Sequence, residues 1–234
     1  RTGVRVHHAP ALALLRDAGA LVTDDNLARI PPELVEWALK QAPGQVTLCR
    51  RGDSRPSLVL GGANVYYGPG SDCPNYLDPR TAARRPFRMA DVIDCIRLVD
   101  ALPEMDFCMS MGIPCDAGSG SHYRLQYARM LEHTEKPVVF VCDDVADCEA
   151  IVAMAAAAAG GMAELRLNPT LALYSEPSTP LQHSNTATGK LLCMAERGLP
   201  VIHSPAPMMG GAAPVTLAGG LALGNAEALS SLVI

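Results

Sequence analysis

The chain has 234 residues, 49% of them hydrophobic, enough to bury one sizeable core as one large domain or two small ones. Charged residues are 18% and the formal net charge is −5, a mild acidic balance that argues against nucleic acid as the main partner, because a phosphate-binding surface wants clustered Lys and Arg. No apolar run approaches the ~20 residues of a membrane helix, so no membrane partner is expected.

The N-terminus, Arg1 to Val6, has no signal-peptide core and no starting Met, and Leu229 to Ile234 reads as mid-helix. A fragment cut at both ends is the expectation. The eight cysteines form no CxxC pair, and Cys95, Cys148 and Cys193 fall on apolar faces. A reducing, cytoplasmic setting fits them better than a disulfide framework.

Pro10 to Ala18 is predicted as a helix with Leu12 and Leu15 inward, ended by Gly19. Ala20-Leu21-Val22 reads as a strand. Pro31-Pro32 opens a helix with Val35, Ala38, Leu39 and Ala42 on one face, stopped by Pro43-Gly44. Val46 to Arg50 and Leu58 to Leu60 read as strands around a turn at Gly52-Asp53. Residues 1–62 are thus expected to be a small α+β cap region. Val65-Tyr66-Tyr67 reads as a strand running into Gly68-Pro69-Gly70, a turn, with a return at Tyr76-Leu77-Asp78. Arg84, Arg85 and Arg88 make the one basic cluster and read as a solvated surface turn.

From Met89 the pattern becomes regular. Helices are predicted over Asp91 to Leu102, His122 to His133, Val145 to Ala159, Thr186 to Arg197 (Leu191, Leu192 and Ala195 inward) and Val215 to Ile234, with Pro214 in the last one's first turn. Strands are predicted at Phe107–Ser110, Val138–Val141, Leu171–Tyr174 and Val201–Ile202. Their starts recur roughly every 30 residues, the size of a βα unit. They lack alternation, as strands of a parallel sheet do. No GxGxxG or GxxxxGK[ST] follows a strand, so dinucleotide and P-loop readings lose their best support. The expected fold is α/β: the N-terminal part of a (β/α)₈ TIM barrel over residues 63–234, with about five of eight units present.

A barrel places its active site at the C-terminal ends of its strands. Those ends read Gly70-Ser71-Asp72, Ser110 to Pro114, Cys142-Asp143-Asp144, Ser175-Glu176-Pro177 and His203-Ser204-Pro205. There is no HExxH, no clustered His/Cys ligand set and no G-x-S-x-G elbow, so the sequence supports no metal. One of Asp143 and Asp144 is explained as a helix N-cap. Glu176 follows a buried strand directly, and capping does not explain it. His203 has the same place one unit later, where core histidine is the alternative. His183, on a loop, reads as a lid or surface residue; His7, His8 and His133 read as surface. Tyr67 and Tyr174 offer aromatic faces, and Tyr174 is expected on the side of the strand opposite Glu176.

Several motifs carry a resemblance. They are Gly3-Val4-Arg5-Val6 with the helix to Gly19, Ile30-Pro31-Pro32-Glu33-Leu34-Val35, Tyr67-Gly68-Pro69-Gly70-Ser71, Ala90-Asp91-Val92 through Asp100-Ala101-Leu102-Pro103, and Lys136-Pro137-Val138. They continue with Pro177-Ser178-Thr179-Pro180-Leu181, Gly198-Leu199-Pro200-Val201, and Ala213-Pro214-Val215-Thr216-Leu217-Ala218-Gly219 with Asn225-Ala226-Glu227. In this order they resemble the trimethylamine methyltransferase family in its broad form, which includes homologues without pyrrolysine that act on glycine betaine and other quaternary amines. The resemblance implies a TIM barrel about twice this length. It also implies methyl transfer from an amine to the Co(I) corrinoid of a cognate partner protein, with no cofactor bound directly. Where the trimethylamine enzymes carry pyrrolysine lies beyond Ile234.

Such chemistry asks the protein to hold a cation, orient one methyl group and exclude water. A quaternary ammonium favours aromatic faces and a nearby carboxylate. Tyr67, Tyr174, Glu176 and Asp72 are the expected groups, with His203, His183 or backbone N–H groups for a betaine carboxylate. The alternatives are another TIM-barrel enzyme of lyase type, which would want a pocket Lys or metal ligands, or an inactive barrel fragment. Lys40, Lys136 and Lys190 all sit on helices or their ends. An open parallel sheet edge leaves a homo-oligomer among the expected partners.

Overall fold

A computed structural model describes residues 2–53, 55–118, 120 and 122–234. In chain order the elements begin with β1 (Val4–Val6), α1 (Ala9–Asp17), β2 (Leu21–Thr23), β3 (Leu27–Arg29), α2 (Pro32–Gln41), β4 (Val46–Cys49) and β5 (Pro56–Leu60). Next come β6 (Asn75–Leu77), β7 (Arg84–Pro86), α3 (Met89–Ala101), α4 (His122–His133), β8 (Val138–Phe140), α5 (Val145–Ala159) and α6 (Met162–Leu167). The chain ends with β9 (Leu171–Ser175), β10 (Gln182–His183), α7 (Asn185–Glu196), β11 (Val201–His203) and α8 (Leu217–Val233). The result is mixed α/β, and among the described residues no sheet closes on itself. No helix among them is long and apolar enough to cross a membrane.

The chain divides into two compact units. The first comprises residues up to Gly44, Tyr174–Glu196 and Val201–Ile234. Its sheet runs β10-β1-β3-β2, with β1 parallel to β10 and antiparallel to β3. Val4 and Val6 alternate inward and pack with Ala11 and Leu15 of α1, Ala20 and Ala28. The His8 imidazole caps α1 by accepting the Ala11 N–H at 3.3 Å, so this histidine has a structural task. Gly19, at φ +98°, turns the chain out of the helix. Helix α2 packs on α8. Ala38 is its buried residue while Leu39 is 52% exposed, so the inward stripe is narrower than expected. Helix α8 starts at Leu217 rather than Val215: the Thr216 hydroxyl accepts the Gly219 N–H at 3.2 Å and sets the N-cap, leaving Pro214 outside the first turn. In α7 the buried residues are Thr188, Gly189, Cys193 and Met194, and Ala195 faces solvent. The expected stripe is therefore rotated by about one residue.

The second unit comprises Gln45–Leu173 and Arg197–Pro200. Strands β4 and β5 form an antiparallel hairpin, tied by the Cys49 N–H to the Pro169 carbonyl at 2.7 Å. Parallel pairing then follows chain order. Cys73 bridges Gly112, Cys108 bridges Val138, and β8 pairs with Leu171–Leu173 of β9. The Leu173 N–H reaches the Pro200 carbonyl at 3.2 Å. The strand expected at Phe107–Ser110 is thus one bridge, at Cys108. The strand expected at Val65–Tyr67 is absent, for a local reason. The Tyr67 N–H is taken by the Asp106 carboxylate (2.7 Å), not by a backbone carbonyl, so no ladder forms there. Gly68 lies against the Phe107 ring, where an added Cβ would come within 2.5 Å, so close packing rather than a simple turn explains the glycine.

Helices α3 and α5 start as their sequences dictate. The Asp91 carboxylate accepts the Arg88 N–H at 2.9 Å, and Asp144 accepts the Asp147 N–H at 2.8 Å. Gly160, at φ +89°, closes α5. The core holds Val92, Ile96, Val99, Tyr127, Met130, Phe140, Ile151 and Leu171. Arg85 is no solvated surface residue. It grips Asp91 with two nitrogens (2.6 and 2.8 Å), reaches Asp78 (3.3 Å) and lies over the Tyr76 ring. These bonds fasten the β6–β7 hairpin to the start of α3, and hold the Asp91 carboxyl below the usual carboxylate range.

Candidate functional site

Strand β9 gives its first three residues to the second unit and its last two to the first. There the Ser204 N–H donates to the Ser175 carbonyl at 3.1 Å, the parallel pattern that sets Ser175 beside His203. Side chains alternate across a strand, so Ser175 and His203 share one face while Tyr174 and Glu176 share the other. The opposite-sides expectation for Tyr174 and Glu176 is therefore corrected, since a spacing of two returns to the same face. The Tyr174 phenol is raised by its burial, then by the Glu176 charge and by the hydrogen bond it gives that carboxylate. Glu176 is exposed just past the strand, and Tyr174 is half-buried.

Two other expected residues meet on the face that Ser175 and His203 share. The His183 and His203 rings stack with centroids 6.3 Å apart and planes 24° apart. His183 is no lid or surface residue: it is 2% exposed, and its Nε2 lies 2.8 Å from Ser230 Oγ. That hydroxyl donates its one proton to the Glu227 carbonyl at 2.9 Å, so it accepts from His183, which assigns the Nε2–H tautomer. Both ring nitrogens of His203 are buried without a hydrogen-bond partner. Burial pushes both imidazoles down to about 4, helped at His183 by His203 and at His203 by the Lys190 charge. Both rings are neutral at pH 7.

The residue that sequence reasoning passed over is Glu227, which is fully buried in α8. One carboxylate oxygen accepts the Thr179 hydroxyl at 2.9 Å, and the other accepts the Leu181 N–H at 2.8 Å. Two motifs far apart in sequence, Pro177–Leu181 and Asn225-Ala226-Glu227, are thus joined by one side chain. The available signal was a single charged residue in the stretch from Leu217 to Leu229.

In the second unit, Asp72 is exposed at φ +62° and accepts the Ser71 hydroxyl (3.1 Å) and the Tyr123 phenol (3.0 Å). Burial raises the Tyr123 phenol, with Asp72, Asp143 and Cys142 adding to it. Tyr123, from the first turn of α4, is the partner that Asp72 keeps. Tyr67 is 67% exposed.

The arrangement offers a cation an aromatic ring and a carboxylate at the end of β9, Tyr174 with Glu176, and the same two chemistries next to the Cys73–Gly112 bridge, Tyr123 with Asp72. Among the described residues, no three His, Cys, Asp or Glu side chains group as metal ligands. A cavity of about 520 Å³ in the first unit is apolar, walled by Val4, Ile30, Val35, Leu181, Ala226 and Leu229. Its walls include neither Tyr174 nor Glu176.

Comparison with known proteins gives this geometry its setting. The family described as trimethylamine methyltransferase (MTTB) matches residues 1–234. A trimethylamine methyltransferase MttB of Desulfitobacterium hafniense (strain DSM 10664 / DCB-2) is 30% identical over 100% of this chain and 47% of its own length. A glycine betaine methyltransferase of Desulfitobacterium hafniense (strain Y51) is 28% identical over 98% of this chain and 48% of its own length. A trimethylamine methyltransferase MttB of Methanosarcina barkeri is 27% identical over 99% and 48%. The chain spans about half the length of the curated relatives it matches. With a match from end to end, this chain belongs to the trimethylamine methyltransferase family.

Proposed function

We propose that the full-length protein takes a methyl group from a methylated amine, quaternary or trimethylamine, and passes it to the corrinoid of a separate partner protein. The observation that carries the reading is the Tyr174–Glu176 pair, held on one face at the end of a parallel strand, in a chain matched throughout by the family. The partner's corrinoid supplies the methyl acceptor. The residues of this chain bind, orient and shield the amine. Glu176 offsets the ammonium charge, and the Tyr174 ring takes its methyl face. Holding the cation in one pose makes the transfer effectively unimolecular once the acceptor arrives. His183 and His203, neutral and on the other face, are left to a supporting role. A betaine carboxylate would then fall to backbone N–H groups.

The parallel run of segments around residues 73, 112, 138, 171 and 201 supports reading residues 63–234 as the first part of a (β/α)₈ barrel. Such a barrel would place Glu176 and Asp72 on its active-site face. Glycine betaine and trimethylamine are both amines named by the relatives, so both belong in the substrate test.

Calorimetry on the full-length protein tests the reading with tetramethylammonium, glycine betaine, trimethylamine and neutral 3,3-dimethylbutanol. At least one methylated amine should bind roughly tenfold more tightly than the neutral analogue, about 1.4 kcal/mol. Equal affinity for the neutral compound and all the amines would refute a cation site.

A further inference from the structure

We infer that Glu227 is the positioning residue for Glu176, an inference that rests on the proposed cation site. Glu227 lies within an apolar helix, fully buried, and among the described residues no cation pairs with it. A buried carboxylate is costly unless its oxygens are hydrogen-bonded, so its presence calls for a reason. The reason is in its two partners. Thr179 Oγ1 gives its proton to one oxygen and the Leu181 N–H gives its own to the other. A carboxylate accepts at both oxygens, whereas a glutamine amide would turn an N–H₂ donor toward one of the two donors.

Those two residues form the tip of a small hairpin. The Ser178 and Gln182 backbones exchange hydrogen bonds at 2.7 and 3.0 Å, closing a loop of Thr179, Pro180 and Leu181. Leu181 is left-handed at φ +53°. Pro180 has no N–H, so the Leu181 N–H is one of only two backbone donors in the loop, and Glu227 takes it. The Leu181 carbonyl accepts the Arg5 N–H at 2.9 Å, and β10 continues as a strand beside β1. The hairpin is therefore pinned by β1 on one edge and by Glu227 at its tip.

Between the hairpin base at Ser178 and Glu176 stands a single residue, Pro177, which is buried and whose φ is fixed near −65°. That stiff link carries the placement of the hairpin to Glu176. The backbone of Glu227 adds a second tie: its carbonyl accepts the Ser230 and Ser231 hydroxyls, and Ser230 receives His183 from β10. Glu227 touches neither substrate nor corrinoid. It decides where the Glu176 carboxylate stands.

The test is a double-mutant cycle on the full-length protein, with tetramethylammonium binding measured by calorimetry. Glu227→Ala and Thr179→Val should each weaken binding roughly tenfold and leave 3,3-dimethylbutanol binding unchanged. Glu227→Gln, which keeps one acceptor, should fall between parent and Glu227→Ala. Glu176→Gln should cost about the same as Glu227→Ala, and the double variant no more than either single change. Thr179→Val conserves volume at a half-buried site, so it decides the matter should Glu227→Ala fail to fold. Parental affinity in Thr179→Val, or losses that add fully in the double variant while Glu176→Gln alone is weak, would overturn the positioning role and leave the cation site standing. Parental affinity in Glu176→Gln would overturn the cation site and this inference with it.

Discussion

Acid should destabilise the protein through one identifiable pair of side chains. His183 and His203 are held neutral, each with its proton affinity pushed down to about 4 against about 6.5 in an unfolded chain. The sign follows from which state takes up the proton. Between pH 6.5 and 4 the unfolded chain binds protons that the folded chain refuses, so folding stability is complete above pH 6.5 and falls as pH drops toward 4. At pH 4.5, one imidazole with this shift contributes a loss of about 2.5 kcal/mol relative to pH 7, or about 2 kcal/mol allowing for water's screening of a half-buried ring. His203→Phe removes that contribution and also removes two buried nitrogens that lack partners. Urea unfolding of the full-length parent and variant from pH 7.5 to 4.5 isolates the effect, because carboxylates elsewhere titrate equally in both. The variant should match or exceed the parent at pH 7, and its advantage should grow by about 2 kcal/mol at pH 4.5. Parallel stability–pH curves would show that the pair is not held neutral by burial.

Other expectations are simpler. Tyr127 is 1% exposed and its hydroxyl has no partner, so Tyr127→Phe should stabilise the protein by about 1 kcal/mol in urea unfolding. A Cβ at Gly112 would come within 2.2 Å of the Phe87 ring, so Gly112→Ala should cost about 1–3 kcal/mol in the same assay. Asp144 caps α5, and Asp144→Ala should cost about 1 kcal/mol, with Asp144→Ser restoring most of it. Glu176→Gln should weaken binding of a cationic amine far more than of its neutral analogue, and equal losses for both would remove the charge role.

The longer helices were readable because their signals are local. Apolar spacing, Asp at an N-cap and Gly at a C-terminus place α3, α4 and α5 within about two residues. The short strands were not, because distant partners define them. β1 and β10 are three and two residues long and are strands only by virtue of each other, though most of the chain lies between them. Arg85 looked like a surface charge because its partners Asp78 and Asp91 come from the turn after β6 and the first turn of α3. At the candidate site, the position of Glu176 past a buried strand was plain in the sequence. Its company was not. Whether His203 shares its face depends on the register of β9 against β11, and one residue of offset sends the imidazole to the opposite side. Glu227 stayed hidden because a single carboxylate on a helix reads as solvated until a loop from elsewhere closes over it.

The central claim, methyl transfer from a methylated amine to a corrinoid partner, has one direct test. The full-length protein is mixed with its corrinoid protein, reduced to the Co(I) state, and with glycine betaine, trimethylamine and tetramethylammonium in turn, while cobalt absorbance is followed. The account predicts that at least one of these amines converts Co(I) to methyl-Co(III) and yields the amine with one methyl group fewer, and that Glu176→Gln slows the conversion. A corrinoid protein that stays in the Co(I) form with every amine, though it accepts methyl groups from a competent relative, would contradict it.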